Sequence, residues 1–203
     1  MVYSYLYIIY DVTFCEICVI IELNIRRGYM SPGLIVYKSK YGATEKYAGW
    51  LSQETGFDCV DVKHFSASDL DNYETVIFGS GIYASHISGL SFLRRHWEKL
   101  QEKEVAVFCV GAFPYEEKSF KKLYADNFRD EIAGVPCFYC RGAIDMDSLN
   151  VTDRLLLKAM QKAVAKKDPA LYTCADKAVM EASKGKCDWT DKKYLTPVIN
   201  FIG

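Results

Sequence analysis

The hexapeptide Ser39-Lys40-Tyr41-Gly42-Ala43-Thr44 joins a short apolar run to a segment with helical periodicity. The run at 34–38 predicts a buried strand, and residues 44–55 predict a helix. Amide hydrogens of a first helical turn are unpaired, and the helix dipole favours negative charge there. Gly42 allows close backbone approach to a phosphate, and Ser39 and Thr44 add hydroxyl donors. The junction therefore predicts an anion site; the simpler alternative is a plain helix cap by Thr44.

Two common nucleotide-binding fingerprints are missing from this region. A Walker site needs Lys followed by Ser or Thr where the helix begins, and no such pair opens the predicted helix. The dinucleotide fingerprint also fails, because Gly79-Ser80-Gly81-Ile82-Tyr83-Ala84 lacks its third glycine and no Gly-x-Gly follows the first strand. The expected ligand is therefore the phosphate of a permanently bound cofactor rather than a hydrolysed nucleotide.

Beyond the first helix, short apolar runs alternate with helix-period segments. This alternation is typical of successive βαβ units in a doubly wound α/β domain, whose ligands bind beyond the carboxyl ends of the strands. Further strands are predicted at 57–63, 75–79, 104–110 and 135–144, and helices at 88–100, 115–132, 148–167, near 175–182 and near 192–201.

Two glycine-bearing loops are predicted at the same edge of the sheet as the hexapeptide. One continues from Ser80 to His86, and the other begins at Val110. Their glycines allow close approach, and their aromatic residues can stack on a flat ligand. His86 is either a hydrogen-bonding or proton-donating group for such a ligand or an ordinary surface histidine.

The hexapeptide resembles the FMN phosphate loop of flavodoxins, with Lys40 and Tyr41 where small or hydroxyl residues are usual. The resemblance implies a flavodoxin-like three-layer sandwich with a five-stranded parallel sheet in the order 2-1-3-4-5. It also implies FMN as the cofactor, with its ring between the two glycine-bearing loops. The cofactor-binding residues so implied are Ser39, Lys40, Tyr41, Gly42, Ala43, Thr44, Ser80, Gly81, Ile82, Tyr83, Val110, Gly111, Ala112, Phe113 and Tyr115.

From Leu34 onward the chain looks most like the flavodoxin-type, menaquinone-dependent protoporphyrinogen oxidases. That resemblance implies oxidation of a porphyrinogen in heme biosynthesis, with electrons passed to a quinone. The sequence identifies no particular side chain as the catalytic acid or base, since main-chain amides around the glycines can position and tune the flavin. The alternatives are a flavodoxin-type electron carrier, which serves a redox partner protein, and a protein that has lost the flavin. The motifs behind the resemblance are Gly79-Ser80-Gly81-Ile82, His86, Arg141-Gly142-Ala143-Ile144, Asp153-Arg154 and Trp189-Thr190-Asp191.

Charge adds a second set of expectations. With 25 basic and 26 acidic side chains the chain lacks the basic excess of a nucleic-acid binder and the acidic field of electron-shuttle flavodoxins. Positive residues nevertheless recur every four positions on the predicted helix at 148–167, with Leu156, Met160 and Ala163 expected to face inward. This stripe is either a contact with anionic lipid or porphyrinogen carboxylates or a solvated face. Its members are Arg154, Lys158, Lys162 and Lys166.

The eight cysteines lie mostly in apolar runs, which predicts reduced thiols and a cytoplasmic protein. Cys137 and Cys140 have redox-motif spacing, but in a strand residues three apart point to opposite faces, so core packing is expected. Cys15-x-x-Cys18 lies in the leader described next, so no metal site is expected.

Residues 1–29 differ from the rest of the chain. The first 25 carry no Lys or Arg, unlike the start of a secretory signal, and acids interrupt their apolar run too often for a membrane anchor. We expect a leader that is not native, with Met30 as the true start and 30–203 as the FMN-binding domain. An additional strand or helix docked on that domain is the alternative.

Overall fold

The computed structural model describes residues 33–183 and 185–203, which belong to the second of two units, Met1–Pro32 and Gly33–Gly203. The predictions for residues 1–29, including the leader and Cys15-x-x-Cys18, lie outside the described residues. Among the helices of the described ranges, none has both the length and the hydrophobicity needed to cross a bilayer.

Parallel strands form the middle layer of the domain. They run in the order β2, β1, β3, β5, β6, with β1 between β2 and β3. This confirms the predicted flavodoxin-like sheet, since the short β4 only adds an antiparallel hairpin to the end of β3. The described strands are β1 Gly33–Lys38, β2 Asp58–Asp61, β3 Thr75–Tyr83, β4 His86–Ile87, β5 Glu104–Gly111, β6 Cys137–Arg141, β7 Ala143–Asp145 and β8 Lys186–Asp188.

Helices cover both faces of the sheet. The described helices are α1 Ala43–Thr55, α2 Ser91–Arg95, α3 Trp97–Leu100, α4 Glu117–Asn127, α5 Val151–Val164, α6 Cys174–Ala182 and α7 Thr196–Ile202. Single 3-10 turns occur at Asp69–Asn72, Asp130–Ile132, Pro169–Leu171 and Lys192–Leu195.

Alternation along the strands builds two cores. Leu34, Val76 and Val107 point to the face covered by α2, α3 and α4, while Ile35 and Ile77 point to the face covered by α1 and α7. Because successive side chains of a strand point to opposite faces, one continuous apolar run fills both layers. This explains why the sequence reads as unbroken hydrophobic runs rather than as alternating ones.

The core thiols follow the same rule. Cys137 packs on one face of the sheet and Cys140 on the other, as predicted. Cys137 Sγ instead lies 3.7 Å from Cys109 Sγ on the neighbouring strand. The contact with Cys109 and then burial raise the pKa of Cys137, and burial raises the pKa of Cys140, so both remain neutral thiols.

Three predicted elements are interrupted in the structure. The helix predicted at 88–100 is split at His96, whose backbone leaves helical geometry, and is preceded by β4. The helix predicted at 115–132 ends at Asn127. The strand predicted at 135–144 breaks at Gly142, after which β7 pairs antiparallel with β8 in a separate ribbon.

Helix α5 is rotated relative to the prediction. Leu157 and Val164 are its buried residues, whereas Leu156 is half exposed and Ala163 is exposed. Arg154 points inward, where it donates to the carbonyls of Asp147 (2.8 Å) and Leu149 (3.1 Å). The predicted basic stripe therefore loses its first member but keeps exposed Lys158, Lys162 and Lys166.

Two glycines provide a test of the packing between β3 and β5. A Cβ at Gly79 would lie 2.1 Å from the buried Phe108 ring, whereas a Cβ at Gly49, inside α1, would meet nothing within 4 Å. We expect Gly79→Ala to lower the free energy of unfolding by about 1–3 kcal/mol through overpacking. Gly49→Ala should raise it by about 0.5–1 kcal/mol, because alanine loses less backbone entropy. Urea unfolding of both variants checks this, and equal stabilities would contradict the described packing.

Candidate functional site

Four strand ends open into one cavity of about 240 Å³. The loop after β1, the end of β3, the loop after β5 and the start of β7 contribute to its walls, and α5 covers it. The structure thus brings the three predicted loops together. The lining residues are Ser39, Tyr41, Ala43, Thr44, Gly81, Ile82, Tyr83, Ala84, Val110, Gly111, Ala112, Phe113, Gly142, Ala143, Ile144, Leu149, Asp153, Leu156, Leu157 and Met160.

The start of α1 is open to an anion. Gly42 occupies the N-cap position in left-handed geometry (φ 88°), and no side chain caps the helix. The amide hydrogens of the first turn are consequently free for a ligand. Ser39 Oγ does not cap α1 but accepts from the Gly42 amide at 3.1 Å, which holds the loop in shape.

Thr44 is the most informative residue of this loop. Its side chain is 3% exposed and lines the cavity. Within residues 33–183 and 185–203 its hydroxyl has no hydrogen-bond partner. In the described ranges the fully buried side-chain polar atoms without a partner are Arg154 Nε and Gln161 Nε2, so Thr44 Oγ1 reaches the surface of the cavity, where it is placed to bind a ligand atom.

The second wall is the tip of the β3–β4 hairpin. Ala84 and Ser85 both have positive φ, 47° and 65°, a pair that usually contains Asn and Gly in such a turn. Asn127 at the end of α4 holds the hairpin: its amide donates to the Ser85 carbonyl at 3.1 Å, and its side-chain oxygen accepts from the Ile87 amide at 2.9 Å. The strained backbone of this turn therefore lies beside the cavity, and strained backbone is often found at functional sites.

Tyr83 lies at the edge of the cavity. A Cβ on Gly81 would meet its ring at 2.8 Å, so the ring lies against that glycine. Lys40 Nζ is 5.2 Å from the centre of the ring, and burial raises the pKa of Tyr83 to about 12. Tyr83 therefore stays a neutral phenol that packs against the loop after β1.

The loop after β5 forms the opposite wall. Val110, Gly111, Ala112 and Phe113 line the cavity, and the Phe113 carbonyl accepts a hydrogen bond from the Tyr139 hydroxyl. Burial raises the pKa of Tyr139, which keeps it a donor. The aromatic partner that this loop offers a ligand is therefore Phe113.

Several residues predicted for the site lie outside the cavity lining. Ser80 is fully buried and its hydroxyl donates to the Ser88 carbonyl. Tyr115 is exposed and packs on Phe120 and Tyr139. Lys40 extends toward α5, and His86 is exposed at the start of β4.

Helix α5 was not predicted to cover the site. Leu149, Leu156, Leu157 and Met160 give the cavity an apolar roof, and Asp153 adds one carboxylate. The signal in the sequence was the amphipathic pattern, which shows that a helix face is buried but not what it is buried against. The missed floor residues Gly142, Ala143 and Ile144 follow β6, whose end reaches the same edge.

A polar clasp ties the loop after β1 to α5. Lys40 Nζ lies 2.5 Å from the Asp153 carboxylate, and the Tyr41 hydroxyl donates to the same carboxylate. The Asn150 amide donates to the Tyr41 hydroxyl at 3.3 Å. Hydrogen bonds from Lys40 and then from Tyr41 lower the pKa of Asp153, and Asp153 raises the pKa of Lys40. The ion pair is therefore charged at neutral pH.

A second, polar cavity of about 260 Å³ lies beside the start of α1. Gly42 and Ala43 line it together with Ser148. Its two lysines are paired, Lys46 with Asp188 at 2.8 Å and Lys186 with Asp145 at 3.7 Å. In the described part of the chain, no cluster of His, Cys, Asp and Glu is arranged to hold a metal.

The clasp predicts a pH-dependent contribution to stability. Because the folded pKa of Asp153 is lowered, its contribution is present above the unfolded value near pH 4 and is lost as pH falls through the folded pKa. Both partners are partly exposed, so Asp153→Asn should cost at most about 1 kcal/mol at pH 7 and almost nothing at pH 2. Urea unfolding at both values measures this.

A matched control for the clasp is Glu117→Gln, which breaks the exposed pair with Lys121 on α4. It should change stability by less than about 0.5 kcal/mol. An Asp153→Asn deficit that persists unchanged at pH 2 would refute the electrostatic origin of the effect.

The chain is similar in sequence to a known domain family and to a curated protein. Residues 34–170 match the family model described as Flavodoxin domain. Over 117 residues the chain is 32% identical to the uncharacterized protein MJ0298 of Methanocaldococcus jannaschii, which covers 54% of this chain and 74% of that protein.

Two solved structures are similar at low identity. The flavodoxin, WrbA-like protein from Agrobacterium tumefaciens is 15% identical, with a TM-score of 0.41 over 76% of this chain and 99% of that chain. A flavodoxin mutant from Fusobacterium nucleatum, bound to flavin mononucleotide, is 16% identical, with a TM-score of 0.33 over 59% of this chain and 73% of that chain. Because the family model spans residues 34–170, more than half of the sequence, the chain belongs to the flavodoxin domain family.

Proposed function

We propose that the chain is an FMN-binding oxidoreductase that moves electrons through the flavin. The single observation that carries this is the Thr44 hydroxyl, which lines the cavity beside the uncapped start of α1, at the edge where the loops after β1, β3 and β5 meet. A free helix N-terminus and a hydroxyl that faces the cavity form a suitable binding site for a terminal phosphate.

The residues present fit FMN. The first-turn amides of α1 and the hydroxyls of Ser39 and Thr44 would hold the phosphate, and the ring would lie between the end of β3 and the loop after β5. FMN, when bound, supplies the electron-accepting and electron-donating chemistry. The chain's own contribution is to position it and, through the apolar roof of α5, to exclude water.

Within this proposal, we place the chain among FMN-dependent enzymes of the protoporphyrinogen dehydrogenase (quinone) type. Support comes from the glycine-rich end of β3, from Gly142 to Ile144 at the floor, and from Asp153, which the structure brings to one cavity. These positions coincide with motifs of the resemblance to those oxidases.

A flavodoxin-type electron carrier is the second candidate. One observation favours it: among the described residues that line the cavity, Asp153 is the only charged one, so the lining offers no positive charge to the carboxylates of a porphyrinogen. A carrier exchanges electrons at the mouth of the cavity and needs no such group.

A cytoplasmic location is part of the same proposal. Its support is the set of core thiols Cys109, Cys137 and Cys140, which form no disulfide and are packed like apolar side chains. Reduced core thiols are typical of proteins in a reducing compartment.

Thr44→Val tests the phosphate seat. A hydrogen bond to a charged group contributes about 1.5–3 kcal/mol, so we expect the Kd for FMN to rise about 10- to 100-fold. Stability without FMN should not fall, because the hydroxyl has no partner to lose. Fluorescence titration and urea unfolding measure these effects.

Thr196→Val, on the exposed start of α7, is the control and should leave the Kd unchanged. If the wild-type protein stays colourless after incubation with FMN, the proposal is wrong.

Anaerobic turnover separates enzyme from carrier. The FMN-loaded protein is mixed with protoporphyrinogen and a menaquinone analogue, and porphyrin absorbance is followed. Turnover above the rate with free FMN supports the dehydrogenase. Its absence, together with fast reduction by a small redox protein, supports the carrier.

A further inference from the structure

The outer face of α5 carries an apolar pair followed by lysines. Val151 and Leu155 are 84% and 68% exposed, and Lys158 and Lys162 follow on the same side. Residues spaced by three or four positions share one side of a helix, so these four form a ridge about 17 Å long. Lys166, in the turn after α5, extends the basic end.

The ridge is continuous with the mouth of the cavity. Leu156, next to Leu155, lines the cavity and is also 51% exposed. A partner that covers Val151 and Leu155 therefore lies beside the mouth of the cavity. Exposed apolar residues grouped in this way are typical of interaction sites.

The positive charge of the ridge is not neutralised by the domain itself. Within residues 33–183 and 185–203, neither Lys158, Lys162 nor Lys166 forms an ion pair. Asp153, the nearest acid on α5, is engaged by Lys40. Like charges four residues apart are unfavourable on an isolated helix, so local helix stability does not account for the series.

The order of apolar and basic residues on α5 distinguishes a membrane surface from a protein as the partner of the ridge. A helix that lies in a membrane interface has its apolar residues along one face and its basic residues on the other. In α5 the inward face is already packed around Leu157 and Val164, and the apolar and basic groups follow one another along the outward face. This order of residues fits a protein partner whose surface has an apolar patch bordered on one side by acidic residues, because protein interfaces combine an apolar centre with a polar rim.

We propose that the ridge Val151-Leu155-Lys158-Lys162 is the docking surface for a small acidic redox protein. Electrostatic complementarity speeds the encounter and fixes its orientation, and the apolar pair seats the partner beside the cavity. A short ridge suits the small interfaces of transient electron-transfer complexes. The redox meaning of this surface rests on the proposed function, whereas the docking itself does not.

The test uses a plant-type [2Fe–2S] ferredoxin as the acidic probe and cytochrome c as the basic one. Binding to the full chain is measured by calorimetry, with and without FMN, at low and high ionic strength. We expect saturable ferredoxin binding that weakens with salt, and no cytochrome c binding. Lys158→Gln with Lys162→Gln should raise the Kd about five- to tenfold at low salt, and Leu155→Gln should raise it at both salt concentrations.

The matched control replaces Lys121 and Lys122 of α4 by Gln, an equal change of charge on another exposed helix. It should leave the Kd within twofold of wild type. Equal effects of the two double variants, or no ferredoxin binding at either salt concentration, would overturn the proposal. So would ridge-dependent binding only to vesicles of 30% phosphatidylserine in phosphatidylcholine, or self-association through the ridge.

FMN content separates this proposal from the proposed function. Each variant is titrated with FMN, and the ridge variants should bind it as wild type does, since these side chains do not line the cavity. A protein that fails to bind FMN but binds ferredoxin through the ridge removes the flavin proposal alone. One that binds FMN but not ferredoxin removes the docking proposal alone.

Discussion

The parallel direction of β1, β3, β5 and β6 is the constraint on which the site depends. Each strand returns to the same end of the sheet through a crossover, so all four carboxyl ends reach one edge. Loops far apart in sequence, around Gly42, Gly81 and Gly111, consequently border one cavity. A change of direction in any one of these strands would take its loop to the opposite edge.

The strands and the glycine-bearing loops could be predicted because the relevant signals are local, whereas the order of the strands was implied by the resemblance to flavodoxins. Apolar runs mark buried strands, and glycines at their ends mark close approach. The hairpin after β3 could not be predicted, since Ala84 and Ser85 are not the residues that its left-handed turn favours. Asn127 holds that turn from 42 positions downstream, a contact without a local signal.

Helix α5 shows a second limit. Leu156 and Ala163 were predicted to face inward because Arg154 was expected on the outer face with the lysines. Arg154 instead bonds to the carbonyls of Asp147 and Leu149, and the buried residues of α5 are Leu157 and Val164, one position later. The helix consequently joins two regions: Asp153 and Met160 face the cavity, whereas Leu155 and Lys158 face outward. Since one rigid element carries both faces, a displacement of α5 changes the roof of the cavity and the outer ridge together.

The neutral thiols buried in the sheet affect how the protein responds to oxidative damage. Thiolates, not thiols, react with peroxide, and burial suppresses both ionisation and access for Cys137 and Cys140. By-products of electron transfer to oxygen would therefore meet unreactive sulfur in the core. Among the described cysteines Cys59 and Cys174 are the exposed ones, and burial and Glu45 raise the pKa of Cys59, so Cys174 would be modified first.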